Sequence, residues 1–415
     1  METPKLDLKR VESRPTAPAA RPSAAGIPRL LIIPPRCLSS LVDTQDHQIA
    51  RSLVTDVTVS LCRSRLYDVV APHSAMKLTS SPIWEEMVPA DYVVVTDVVL
   101  AQRDMPIALL TIDVIATEAD KRIYRSEVEL RTGTLQNIHD SLCSIVADKI
   151  CGEIGAHELR QYRRTGAASA YVHYLLAMQR GDQNDLRSLM RAQRSLLRSI
   201  QLSPDFAPSL AQLARTKTLQ WLELASPDRA LLHEAQHLAR RAHSYEPQDS
   251  ASLREIGHAA LYLHDLDGAL EHFEAAHEFA PNHADLLVDQ ADTLTHLSRH
   301  DEAEAKISRA LSLNPLAPDD YYWIGGAVSF FRGEYQQALS RLTAMHSPGQ
   351  AMRLMAACAA MLGETEDAAT YRAQALARDP TFTVDKWQSL YPAPSGADTA
   401  HYLNALILAG FSRGI

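Results

Sequence analysis

His233-Glu234-Ala235-Gln236-His237 places two histidines four residues apart around a glutamate. In this HExxH spacing both imidazoles lie on one helix face and can share a zinc ion, with the glutamate as general base. His243 stands where a third ligand would be sought. Reaching it requires a glycine at position 240 to turn the chain, and the residues there are Arg240 and Ala242. The helix is therefore expected to continue, which sets His243 about 240° round the axis from His237. Ala235, Ala239 and Ala242 also fall on the small-residue positions of a repeat described below. The expectation is an exposed helix without catalysis, with His233 and His237 left as a weak candidate pair for an adventitious metal ion.

Other chemistry has no residues to carry it. There is no GxxxxGK[ST] and no GxGxxG, and Gly325-Gly326 sits inside a helical pattern. The five cysteines form no CxxC. Cys143 and Cys151, eight apart on one helix, read as core thiols in a reducing cytoplasm. No Ser/His/Asp or Cys/His set stands out, so neither an enzyme nor a cofactor is expected.

The elements that position these residues follow from composition and period. The chain has 415 residues, 46% hydrophobic, 22% charged and 6% aromatic, with net charge −9. That balance describes a packed protein and argues against a broad nucleic-acid surface. Apolar runs are only a few residues long, so no membrane insertion is expected. Residues 1–28 have no apolar leader core and are spaced by Pro4, Pro15, Pro18, Pro22 and Pro28. They read as a disordered arm or linker, and the chain as cytoplasmic.

From 29 to 160 strands and helices alternate. RLLIIP at 29–34, YDVVA at 67–71 and DYVVVTDVVL at 91–100 are β-branched, buried-type strands. Ile49, Leu53, Val57 and Leu61 recur at helical spacing over 46–65. Leu110, Ile112 and Val114 mark a strand, and Tyr124, Val128 and Leu130 a half-exposed one. Leu135, Ile138, Leu142, Ile145, Val146 and Ile150 carry a closing helix. The order β-α-β-β-β-β-α is a small α/β domain.

Beyond 166 the dominant signal is a period of 34. Pro281 and Pro315 are one period apart, preceded by Ala269 and Ala303, Ala276 and Ala310, Phe273 and Ile307, and Gly257 and Ala291. Pro380 repeats this with Ala356, Ala368 and Ala375; Pro247 and Pro204 repeat it in part; Gly326 and Ala338 hold it between 318 and 348. Small residues where two helices touch, one large apolar residue and a terminating proline make the tetratricopeptide pattern. About six helix pairs are expected within 166–380, near 167–204, 206–247, 250–281, 284–315, 319–346 and 349–380, with 381–415 as a cap. Stacked pairs wind into an all-α superhelix with a concave groove lined by the first helix of each pair. In this register Arg254, His258, Tyr262, Asp292, His296, Trp323, Phe330, Phe331 and Arg353 face the groove. Mixed arginine, histidine and aromatic groups suit a partner segment anchored by its contacts to rings.

RLLIIPPR, LVTDVTVSLCR, YDVVAPHS, ADYVVVTDVV, IYRSEVEL and TLQNIHDSLCSIVADKI together resemble the TolB-amino-terminal-like domain. Where that family usually carries a glycine in the third strand, this chain has Thr96 and Asp97. AYVHYLLAMQRGDQNDLRSLMRAQRSLLRSIQLSPDFA, DDYYWIGGAVSFFRGEYQQAL and DPTFTVDKWQSLYP are similar to tail regions of bacterial class III adenylate cyclases and CadC/OmpR-type winged-helix regulators. The resemblance spans about 29–411. It implies the regulatory half of such a protein without its effector, for which the short arm of residues 1–28 leaves no room. The expected action is non-enzymatic. The groove would bind a protein partner in bacterial signalling or transcription control, and the α/β domain would pair with itself in a homodimer or with a second partner. The alternatives are a regulatory subunit acting on a cyclase in trans, a component of a secretion or envelope assembly and, remotely, an HExxH zinc hydrolase.

Overall fold

The structure is a computed structural model. It describes residues 25–37, 44–63, 65–70, 89–101, 107–130, 132–180, 186–224, 228–281, 283–314, 317–388 and 396–414. Most of the expected arm, the segment 71–88 and Leu390 and Tyr391 of the expected cap lie outside the described residues. The chain divides into two compact units, Met1–Gly166 and Ala167–Ile415.

The first unit is built on a mixed sheet. Its strands are β1 (Arg29–Ile32), β2 (Arg36–Cys37), β3 (Asp68–Val69), β4 (Tyr92–Ala101), β5 (Ile107–Ala116) and β6 (Lys121–Glu129). Their order is β3-β1-β4-β5-β6, with β2 also on β4. β1 runs parallel to β3 and β4, while β4, β5 and β6 form an antiparallel meander. β2 is an exposed two-residue strand with no apolar pattern to announce it. Thr96 and Asp97 lie mid-strand: the Thr96 hydroxyl donates to the Ile33 carbonyl (2.8 Å), and Asp97 accepts both arms of Arg36 (2.7 and 3.1 Å).

Helices α1 (Thr44–Arg63) and α2 (Thr132–Thr165) share one core with the sheet. Ala50, Leu53, Val57 and Leu61 from α1 and Val146, Ile150 and Ile154 from α2 are buried with Ile32, Val94, Leu110 and Ile112. Ile145 departs from expectation. It is 57% exposed, because it lies one residue off the buried stripe that Val146 and Ile150 define. The structure carries α2 fifteen residues past Ile150, and Tyr92 ties down the extension by donating to Glu158 (2.7 Å).

The second unit is a run of helix pairs. They are α3 (Ala170–Arg180) with α4 (Leu186–Leu202), α5 (Ala207–Leu224) with α6 (Ala230–Tyr245) and α7 (Ser250–Tyr262) with α8 (Leu266–Phe279). They continue as α9 (Ala284–His296) with α10 (His300–Leu313), α11 (Asp319–Phe331) with α12 (Tyr335–Thr343) and α13 (Met352–Leu362) with α14 (Thr365–Arg378). Helices α15 (Val384–Gln388) and α16 (Ala397–Leu408) follow.

The small residues of the period sit where the helices touch. Ala269, Ala276, Ala303 and Ala310 are fully buried beside Phe273 and Ile307. A Cβ on Gly257 would come 2.7 Å from the Phe273 ring, so only glycine allows that approach. Caps and turns repeat as well. Asp249 accepts from the Ser252 amide (2.9 Å) at the start of α7, and Asp265 from the Gly268 amide (3.1 Å) at the start of α8. The turn inside each of the last four pairs holds one left-handed residue: His264, Ser298, Gly333 and Gly363.

Candidate functional site

Helix α6 runs unbroken from Ala230 to Tyr245, through Arg240, Ala242 and His243. Ala235, Ala239 and Ala242 are fully buried on its packed side, and His233 and His237 are exposed on the other. Glu234 accepts an ion pair from Lys217 (3.0 Å). Among the described residues no group of three or more His, Cys, Asp or Glu is arranged to hold a metal ion.

The first helices of successive pairs bring other groups together. Arg254 of α7 reaches across to α9, where it pairs with Asp289 and lies 3.4 Å from Asp285. His258 Nε2, one turn further along α7, is 3.2 Å from the other oxygen of Asp289. Tyr321 of α11 donates to Asp285 (2.6 Å), so three consecutive first helices are stitched by one chain of polar contacts. On the preceding side Arg215 of α5 meets Glu255 of α7 (3.5 Å), and the Trp221 and Tyr262 rings sit 5.7 Å apart.

Electrostatics within this cluster are uneven. Burial pushes the Asp289 carboxyl up, but Arg254 and then His258 outweigh it and hold it far below the usual carboxylate range. Burial opposes the Arg254 charge too, and Asp289, then Glu255 and Asp285, more than offset it. Asp292 has no arginine beside it, only the weaker pull of His258. Burial, then the Asp289 charge, push it up to about 7. His296 Nε2 is 3.5 Å from Asp292, yet burial, then His264, push this imidazole down to about 3. The imidazole is therefore uncharged near neutral pH, where Asp292 is close to its midpoint. Burial and then Asp292 and Asp289 raise the Tyr262 phenol.

The nine groove positions read from the period thus divide. Arg254, His258, Tyr262, Asp292 and His296 come together in the cluster on α7 and α9. The other four meet the end of the chain. Phe330 is a correction: it is fully buried core, because α16 lays His401 (5.1 Å between rings) and Tyr402 (5.5 Å) over it. Phe331 stacks on His300 at 5.6 Å, Arg353 lies 4.8 Å from the centre of the Phe382 ring, and Trp323 packs half-buried against the same cluster.

Asp285, Asp289, Tyr321, Arg215 and Trp221 escaped the sequence reading. A signal for three of them existed. Arg254 and Asp289 are 35 residues apart, Arg254 and Asp285 31, and Tyr321 and Asp285 36, each close to one period. Opposite or hydrogen-bonding types one period apart on first helices are adjacent in the stack.

No family model matches the sequence, and no curated protein does. Among solved structures the chain is similar to a thermophilic tetratricopeptide-repeat protein of Thermus thermophilus, at 18% identity and TM-score 0.37, over 58% of this chain and 100% of that one. It is similar to PilW, a type IV pilus biogenesis factor, at 18% identity and TM-score 0.40, over 53% and 97% of the two chains. A tetratricopeptide-repeat protein of Parabacteroides merdae has 16% identity and TM-score 0.38, over 66% and 97%.

Proposed function

We propose that this chain is a non-enzymatic interaction scaffold of the tetratricopeptide type, whose first-helix face around α7, α9 and α11 holds a segment of a partner protein. One observation carries the reading: the polar network from Arg254 through Asp289 and Asp285 to Tyr321 lines successive first helices instead of an apolar core. The part-exposed Asp285 carboxylate at the edge of this network and the partly exposed Tyr262 ring offer a hydrogen-bond acceptor and flat apolar surface together, the combination that holds a polypeptide. A setting in bacterial signalling or transcription control, with the effector on another chain, rests on the sequence resemblance to cyclase and winged-helix regulators alone.

The test reverses charge at the exposed edge of the network and leaves its buried centre intact. Asp285 has a side chain 45% exposed, and Asp320, one period along, is exposed. Partners of the tagged wild-type chain are identified by affinity capture and mass spectrometry. Asp285→Lys with Asp320→Lys loses them, while Glu302→Lys on a second helix keeps them. Equal capture by all three proteins refutes the reading.

A further inference from the structure

The second helices carry a different pattern, independent of the groove. Helix α4 contains Arg187, Arg191, Arg194 and Arg198 and no acidic residue. Helix α8 contains Asp267, Glu271, Glu274 and Glu278 and no lysine or arginine. Both sets follow the spacing four, three, four, and all eight side chains are exposed. That spacing confines each set to an arc of about 60° and a line about 16 Å long. The ion pairs among the described residues use none of the eight. Two other second helices mix their charges: α10 has Asp301, Glu302 and Glu304 with Lys306 and Arg309, and α14 has Glu366 and Asp367 with Arg372 and Arg378.

We infer that these two lines are complementary docking surfaces through which copies of this chain associate, the arginine line of α4 in one copy lying against the acidic line of α8 in another. The lines cannot meet within one copy. α4 belongs to the first pair and α8 to the third, with the second pair stacked between them. The partner's chemistry is set by the chain itself, since it holds a line of the opposite sign with the same period. Because the spacing reads the same in both directions, parallel and antiparallel helices each bring four opposite charges into register. Leu186, Met190 and Leu197 border the arginine line and are 36–49% exposed, which adds apolar surface to that side of the junction. Exposed pairs of this kind bind weakly and are screened by salt. The junction joins unlike surfaces, so each added copy leaves one line of each sign open at the ends of the assembly.

The experiment is sedimentation velocity on the full chain. At about 0.01 M salt, where the screening length is about 30 Å, the average mass rises with protein concentration. At about 1 M salt, where it is about 3 Å, the mass returns to one copy. Arg191→Glu with Arg194→Glu loses the acceptor of the acidic line, and Glu271→Arg with Glu274→Arg loses the acceptor of the arginine line. Each variant alone associates at least about tenfold more weakly than wild type. In the first variant the acidic line is intact, and in the second the arginine line is intact. Mixed in equal amounts they associate again, because the two intact lines match and the two reversed lines are also complementary at all four positions. A wild-type chain that stays single at low salt overturns the inference. So does a variant that associates like wild type, or a mixture that does not pair. Circular dichroism confirms folding, and if a reversal unfolds the chain, the glutamine substitutions at the same positions replace it, with weaker association still expected.

Discussion

Arg254 and Asp289 stand 35 residues apart, one period plus one, and meet as an ion pair across the junction of two first helices, with only 13% and 10% of their side chains exposed. A pair this enclosed couples two repeats through charge, and removing Asp289 leaves Arg254 with only the longer contact to Asp285.

Asp289→Ala therefore lowers the stability of the array by about 2–4 kcal/mol, because Arg254 stays buried with only Asp285 to offset its charge. Arg254→Met with Asp289→Leu recovers most of that loss, since neither charge remains. Denaturant melts of the single and double variants measure both. A double variant as unstable as Asp289→Ala would sink the account.

Stability near neutral pH depends on Asp292. Its folded pKa of about 7 lies above the unfolded value of about 3.9, so the folded chain binds that proton more tightly. The contribution is fully present below about pH 4 and is lost as pH rises through 7. His296 runs the other way: with a folded pKa of about 3, its contribution is present above about pH 6.5 and is lost as pH falls toward 3. Asp292→Asn is expected to raise stability by about 1–2 kcal/mol at pH 8 and to change it little at pH 4. Melts across that range show a widening gap between variant and wild type as pH rises.

Two helical glycines have opposite prospects. Gly257→Ala forces a methyl against the Phe273 ring at 2.7 Å and costs about 1–3 kcal/mol. Gly152→Ala, inside α2, meets nothing within 4 Å and gains about 0.5–1 kcal/mol of helix propensity. Thermal melts of the two variants should shift in opposite directions.

The cysteines divide by access. Cys37 and Cys62 are exposed, while Cys143 and Cys358 are buried. Burial pushes the Cys358 thiol up to about 12 and the half-buried Cys151 thiol to about 11. A chromogenic disulfide reagent should consume Cys37 and Cys62 promptly, with Cys151 and Cys358 reacting only after unfolding. Mass mapping of the labelled peptides identifies the sites.

Local pattern was enough for much of this molecule. The Ala269–Ala276 and Ala303–Ala310 spacing announced helix pairs, because a 34-residue period with small residues at the contacts fits one packing. The β-branched run in Asp91–Leu100 announced the central strand. Tyr402 over Phe330 was not legible, since the two are 72 residues apart and no repeat relates them. A first-helix aromatic reads the same whether it faces open groove or a returning helix. Ile145 failed for a smaller reason: several apolar residues compete for one helix face, and only packing decides which is left outside.

The sequence alone determined that HExxH sits on an uninterrupted helix, because Arg240 and Ala242 continue it and the alanines of α6 are committed to packing. It also determined the period and the two single-sign charge lines on α4 and α8. Tertiary structure decided the rest of the site. It placed Arg254 on Asp289, buried Asp292 and His296 beside each other, and closed the Phe330 end under α16. Those outcomes depend on distance between residues far apart in the chain and on exclusion of water. A pattern of residue types carries neither until the helices are stacked.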